Sequence, residues 1–408
     1  MKTLLKGASV FTKEGFVKKD LLINEGKVFV SDFSSFDVVV NYSGKFIVPG
    51  FVDVHVHLRE PGFFYKESIE TGTKAAAAGG YTGLCSMPNL NPAPTNLKNL
   101  KVQLDLIEKN AKVKVYPYGA ITSDQSGRGN ISDMDEIAPY VVAFTDDGKG
   151  VQSEELMREA MVKAKSLNKM IVAHCEDEEL NDTPYMGTTS KSEYTQVERD
   201  IRLAAETGCK YHVCHVSAKE SVEAIREGIA KGISVTSETG PHYLVFNKDK
   251  IKSEGRFKMN PPIKEAEDQE ELIRGIKDGT ISMIATDHAP HSEEEKAKGF
   301  VDSMFGVVGL ETAFGIMYEN FVKTSIITLE ELIELMAIKP REIFGLPGGY
   351  IEDGQIADIT VIDLEESMDV DSSKFLSKGK STPFDGMKMS GSIVATYVDG
   401  EKVYENII

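Results

Sequence analysis

The sequence has no tryptophan and only four cysteines, Cys85, Cys175, Cys209 and Cys214. The missing tryptophan excludes nothing. The cysteines form no CxxC pair and their spacing suggests no disulfide framework, so a stapled scaffold is excluded and a reducing cytoplasm is the expected setting. No apolar run approaches the roughly 20 residues of a membrane span. The N-terminus, MKTLLKGASVFTKEG, turns polar at once and lacks a long apolar core, so no secretory signal is expected. Positive charge is also short. The net charge of −18 argues against nucleic acid or an anionic membrane as partner. It does not exclude a small anionic substrate, because local charge decides that.

What remains is a chain of 408 residues with 41% hydrophobic and 27% charged residues. That is enough for one large α/β barrel plus a smaller appendage. Residues 1–49 hold short alternating stretches (LLKGASVFT, KDLLINEGKVFVSDF, KFIVPG) broken by Gly and Asn turns, which read as strands and hairpins. The C-terminal part repeats this in QIADITVIDL and GSIVATYVDGEKVYE, with Asp399-Gly400 as a turn signal. Neither end has enough strand for a stable sheet alone. The two are expected to pair into one small β-domain, residues 1–49 plus 345–408.

Between them, over 50–344, short apolar runs alternate with charged helical stretches, the pattern of βα units and a parallel sheet. Eight runs can be counted: 50–58, 81–89, 112–121, 140–148, 169–177, 210–217, 232–240 and 281–291. Helical segments such as 153–169 and 218–232 lie between them. The expectation is a (β/α)8 barrel with functional residues at the C-terminal strand ends.

The histidines support that placement. All eight (His55, His57, His174, His212, His215, His242, His288 and His291) lie on or just past a proposed strand, and none lies on a long helix. In FVDVHVHLREPG, His55 and His57 are two apart, so both point to one face of the strand and can share a metal. AHCED offers His174. In HVCHVS, His212 and His215 cannot share a face; His215, nearer the strand end, is the better ligand and His212 reads as structural. In ATDHAPH, Asp287 and His288 point oppositely, so one faces the barrel mouth. An aspartate there suits metal ligation and proton transfer together. His242, in GPHYL, reads as structural or as a support. Cys175 and Cys214 each neighbour a chosen histidine, face away from it, and are expected to pack.

AFTDDGKG ends the fourth run. Two metals need a bridging anion, and either Asp146 or Asp147 can supply it; the pleat alone does not choose. Four His and two Asp form an N/O donor set without thiolate, which suits zinc or another divalent transition metal. Two ions about 3.5–4 Å apart would share and ionise a water, which is a hydrolase core. Arg59, a cation beside the site, is suited to hold a carboxylate with its two-pronged fork.

The chain resembles the dihydroorotases of the amidohydrolase superfamily, the bacterial class related to the dihydroorotase domain of the multifunctional pyrimidine enzyme. The matching motifs are PGFVDVHVHLREPG, AAAAGGYTGLCSMPN, AFTDDGKGVQ, IVAHCED, YHVCHVSAKES, FKMNPPI and IATDHAPH. They run in family order over nearly the whole chain. The resemblance implies reversible hydrolysis of dihydroorotate to N-carbamoyl-aspartate in pyrimidine synthesis. It implies two zinc ions bridged by Asp147, rather than Asp146, and by hydroxide. His55 and His57 would hold one ion, His174 and His215 the other, with Asp287 as ligand and proton shuttle. His57, Arg59, Asn89, Asn260, His291 and the backbone of Phe305 and Gly306 match substrate-binding positions. From the residues alone, Asn89 and Asn260 read as turn residues.

The fourth run lacks the carboxylated lysine with which many superfamily members bridge their metals. Lys149 lies beyond it and is expected in solvent. The missing lysine speaks against allantoinase and dihydropyrimidinase, the related cyclic-amide hydrolases. A non-catalytic homologue that partners an aspartate transcarbamoylase would be expected to lose ligands, and all six are present. A homodimer, or association with a transcarbamoylase alongside activity, stays open. The segment after AHCED, LNDTPYMGTTSKSEYTQVERD, is shorter than this class usually carries.

Overall fold

Short, fully buried runs decide the architecture. Every residue of the strands Phe51–Val56 and Tyr81–Ser86 is buried, as expected when a parallel sheet is covered on both faces. The computed structural model describes all residues except 32, 34, 182–186 and 407–408. In it these two strands pair in parallel with Lys114–Pro117. A second parallel set joins Met170–Ala173, Lys210–Val213, Val235–Thr239 and Met283–Ile284. Phe144 links the two sets by bridging Gly119 and Ile171, and Val56 bridges His288 to close the ring. The result is an eight-stave α/β barrel.

Two staves are shorter than the sequence suggests, for one physical reason. At the run 140–148 backbone bonds tie Val142, Ala143 and Thr145 to Pro117 and Gly119, and Phe144 to Met170 and Val172. The ladder stops there, and the Asp146 carboxylate accepts the next N–H groups, those of Ile121, Thr122 and Gly127. At the run 281–291 the ladder covers Met283–Ile284 and returns at His288. In the gap, the buried Asp53 carboxylate accepts the Thr286 N–H. A buried carboxylate satisfies strand N–H groups as a carbonyl would, at the cost of regular pairing.

Helices return the chain between staves, and their ends follow local chemistry. Ser153 caps Glu154–Ser166 by accepting the Leu156 N–H at 3.2 Å, and Thr189 caps Ser190–Thr207 by accepting the Ser192 N–H at 3.1 Å. Gly208, with φ +67°, ends the latter helix in the left-handed conformation that glycine adopts without strain. Inside the barrel, Val52, Val54, Cys85, Tyr118, Val172, Cys214 and Met283 pack with Phe344 of the helix Lys339–Phe344. Beside them, buried Arg341 donates to the carbonyls of Gly50, Ala337 and Pro347 and to Thr82 Oγ. The polar histidines and aspartates gather at the other, C-terminal ends of the strands.

Strands from both ends of the chain share one six-stranded sheet: Glu401–Glu405, Lys388–Val398, Ile359–Asp369, Phe46–Pro49, Ser9–Thr12 and Gly15–Lys18, in that order. A four-stranded sheet (Lys27–Phe29, Leu21–Asn24, Thr3–Lys6, Val38–Asn41) lies against it through a separate core that includes Leu5, Val10, Leu21, Ile47, Ile359 and Val361. Among the described residues, no helix is long and apolar enough to cross a membrane.

Candidate functional site

At the C-terminal strand ends six side chains converge. Asp147 lies at the centre. Its Oδ1 is 3.3 Å from His55 Nε2 and 3.7 Å from both His174 Nδ1 and His215 Nε2. Its Oδ2 is 3.4 Å from His57 Nε2. Asp287 Oδ1 is 3.1 Å from His57 Nε2 and 3.5 Å from His55 Nε2. His174 Nδ1 and His215 Nε2 face each other at 2.8 Å. All six residues are buried. Asp146, the alternative at the fourth strand end, turns away into its loop.

Three of the four inward-facing nitrogens are set by what holds the other side of the ring. His55 Nδ1 donates to Glu238 Oε1 at 2.5 Å, His57 Nδ1 donates to Asn89 Oδ1 at 2.8 Å, and His174 Nε2 donates to Glu176 Oε2 at 2.7 Å. An acceptor on one nitrogen fixes the proton there and leaves a lone pair on the other. Three lone pairs therefore aim at two carboxylates. His55 Nε2 and Asp147 Oδ1 are buried without a hydrogen-bond partner. Such atoms repel unless a cation lies among them, so the residues fit a divalent metal; the all-N/O donor set and the supporting carboxylates are those of a metal centre. Protonation shows the same demand. Burial works against charge on His55, yet Asp147, Asp287 and Glu238 hold its pKa well above the ordinary value. Burial would raise Asp147, but His55, His215 and His57 hold it well below the usual carboxylate range.

A cavity of about 500 Å³ opens onto this cluster. Every residue expected at the site lines it except His55, which lies behind. Arg59 has φ +59°, a left-handed conformation that turns its side chain back from the strand direction. Its Nε donates to the Pro290 carbonyl at 3.1 Å, and Nη2 reaches within 3.3 Å of His291 Nε2. Asn260 is largely spoken for: its Oδ1 accepts from the Thr188 N–H and hydroxyl, and its Nδ2 donates to Glu176. The Gly306 N–H donates to the Lys258 carbonyl, and the Phe305 carbonyl accepts from His291 Nε2 at 2.7 Å. Lys149 is exposed at the rim.

The other histidines serve as packing and support. His212 Nε2 donates to Glu238 Oε2 at 3.2 Å, and its ring meets Phe344. His242 is buried against Tyr243, and burial pushes its pKa down to about 4, which keeps it neutral. His288 turns towards Glu67, 3.6 Å away, so Asp287 is the member of that pair in the cavity. All four cysteines are free and buried. In the segment after AHCED, residues 182–186 lie outside the described residues.

Sequence reasoning passed over Glu238, Glu176 and Asp53. Glu238 alone accepts from His55, His212 and the His215 N–H. The available signal was a charged residue within a strand buried on both faces, which is uncommon without a partner.

Comparison with known proteins places this geometry in a family. Residues 44–221 match the family described as dihydro-orotase-like. A dihydroorotase of Fusobacterium nucleatum subsp. nucleatum is 46% identical, the match covering 98% of each chain. One from Bacillus cytotoxicus is also 46% identical, covering 99% of each. Among solved structures, the L-hydantoinase (dihydropyrimidinase) of Arthrobacter aurescens superposes with a TM-score of 0.89 at 28% identity, covering 99% of this chain and 96% of that one. The dihydropyrimidinase of Brevibacillus agri, at 23% identity and a TM-score of 0.88 over 100% of this chain and 95% of that one, shares the fold. The barrel, the converging His and Asp donors and the near full-length identity agree: the chain belongs to the dihydroorotase family.

Proposed function

We propose that the protein hydrolyses the ring amide of dihydroorotate to N-carbamoyl-aspartate, and closes it in reverse, in pyrimidine synthesis. The observation that carries this reading is the pairing of two features in one cavity: a buried metal-type donor cluster and a buried guanidinium, Arg59, beside His291. The first serves amide hydrolysis. The second serves a substrate that bears a carboxylate, which dihydrouracil and hydantoin lack.

His55 and His57 would hold one zinc ion, His174 and His215 a second, with Asp147 within reach of all four rings and suited to bridge them. A divalent metal there supplies Lewis-acid polarisation of the amide carbonyl and acidifies a water. The chain's own residues do the rest. Glu238, Asn89 and Glu176 keep the outer ring protons of His55, His57 and His174 in place, so that with a metal bound the inner nitrogens would carry the lone pairs. Asp287, held as a carboxylate, takes the proton released by the attacking water and delivers it to the amide nitrogen as the ring opens. Arg59 grips the substrate carboxylate through its fork and orients the scissile bond over Asp287.

Arg59→Met is expected to retain metal and to lose about 2–4 kcal/mol in kcat/KM for dihydroorotate, the scale for removing one partner of a buried charged hydrogen bond. Arg59→Lys, which keeps the charge but not the fork, is expected mainly to raise KM. Steady-state kinetics with metal content measured in parallel decide it. Normal turnover by Arg59→Met would place the carboxylate elsewhere and remove the observation on which the choice of substrate rests.

A further inference from the structure

Lys66 has no part in the reading so far, yet it is buried in the wall of the cavity. It lies in the loop that carries Arg59 and is 8% exposed. Its Nζ donates to His291 Nδ1 at 3.1 Å and pairs with Glu295 Oε1 at 3.0 Å. The opposite edge of the same imidazole, Nε2, lies 2.7 Å from the Phe305 carbonyl oxygen.

These two neighbours admit one form of the ring. A carbonyl oxygen only accepts, so Nε2 carries a proton. An ammonium only donates, so Nδ1 carries the lone pair. Arg59 Nη2, 3.3 Å from Nε2, is also a pure donor and therefore shares no hydrogen bond with it. Arg59 and the Nε2–H edge are thus side by side as donors, with the Nε2–H shared with the Phe305 carbonyl.

We propose that Lys66 is a positioning residue for carboxylate recognition: it holds His291 as the neutral imidazole protonated at Nε2, so that this N–H and the Arg59 fork meet the same substrate carboxylate. The proposal rests on the ring-opening reading for its substrate, and on the hydrogen-bond geometry alone for the tautomer.

The surroundings show what Lys66 prevents. Four charged groups act on His291: Arg59 and Lys66 from the loop after the first barrel strand, and Glu295 and Lys296 from the short helix that follows His291. Burial, then Arg59 and Lys66, push His291 down to about 3, while Glu295 pulls the other way. Glu295 Oε2 is only 3.3 Å from Nδ1, and Glu295 is itself fixed by Ser292 and by the Tyr65 hydroxyl. With Lys66 removed, Glu295 becomes the strongest partner of Nδ1. It draws a proton there, giving either an imidazolium or the opposite tautomer. The opposite tautomer would turn a lone pair towards the Phe305 carbonyl and the incoming carboxylate.

The test uses the metal-loaded protein and its Lys66→Met, Lys66→Leu and Lys66→Arg variants. In the neutral variants KM for dihydroorotate is expected to rise about 10- to 100-fold, the scale of one hydrogen bond to a charged group, with kcat and metal content little changed. Lys66→Arg, which still donates to Nδ1, is expected to recover most of the loss. The readout independent of activity is ¹⁵N NMR of histidine-labelled protein, with the His291 signals assigned through His291→Asn. The parent should show a proton on Nε2 that does not titrate between about pH 5 and 9, whereas the neutral variants should titrate between about pH 5.5 and 7.5. An unchanged tautomer and titration in both neutral variants would overturn the proposal, as would a fall in kcat and metal content with KM preserved. If the parent does not turn over dihydroorotate, the ring-opening reading fails, and the NMR comparison still decides whether Lys66 sets His291.

Discussion

Replacing Asp287 by asparagine is expected to lower turnover of dihydroorotate by about 10²-fold or more while bound metal is retained, the scale of general acid–base assistance by one group. The amide oxygen of asparagine can still face His57 and a cation, so ligation can survive. What is lost is a proton acceptor and donor at that point. Asp287 suits the role because it stays ionised: burial would raise its pKa, but His55, His57 and His215 hold it low. Asp287 also lines the cavity, where the amide nitrogen must pick up its proton. Single-turnover kinetics with metal content measured alongside check the expectation. Near-native turnover in Asp287→Asn would remove Asp287 from the chemistry.

Asp147→Ala is expected to have a larger effect, lowering both bound metal and turnover, the latter by about 10³-fold or more, since several kcal/mol of charge stabilisation disappear with the centre. The neighbouring Asp146→Ala is the informative control. Asp146 serves the N–H groups of Ile121, Thr122 and Gly127 and the Thr122 hydroxyl, so its loss should lower the thermal midpoint and leave metal binding largely intact. If Asp146→Ala loses more metal than Asp147→Ala, the bridging role belongs to the other carboxylate.

The adjacent pair Asp146-Asp147 marks where the sequence stops being readable. Within a regular strand, alternation is reliable: His55 and His57 do share a face. At strand ends alternation lapses, and most of the site lies there. Arg59, His215 and Asp287 have φ of +59°, +31° and +45°. A left-handed φ in a non-glycine residue is uncommon and gathers at functional sites. Each such residue re-aims the side chains around it. Strict alternation keeps Arg59, two residues past His57, on the cavity side, but it fails at His215, which lines the cavity although His212, three residues earlier, also points into the barrel. Alternation also left Asp287 and His288 undecided. The supporting carboxylates were illegible for a different reason. Glu238 meets His55 across 183 positions of sequence, and Asp53 meets Thr286 across 233. No local pattern announces such a partner. The eight-stave barrel was readable because it depends on alternation of buried runs and helices. Its two shortened staves were not, because Asp53 and Asp146 take up N–H groups where the backbone ladders stop.

One measurement bears on the centre of this reading: metal analysis of the purified protein, followed by steady-state turnover of dihydroorotate, allantoin and dihydrouracil before and after chelation. The expected result is about two divalent ions per chain, as a paired hydrolytic centre requires, with dihydroorotate far preferred, activity abolished by the chelator and restored by zinc. Full activity on dihydroorotate in metal-free protein, or a preference for allantoin or dihydrouracil, would contradict it.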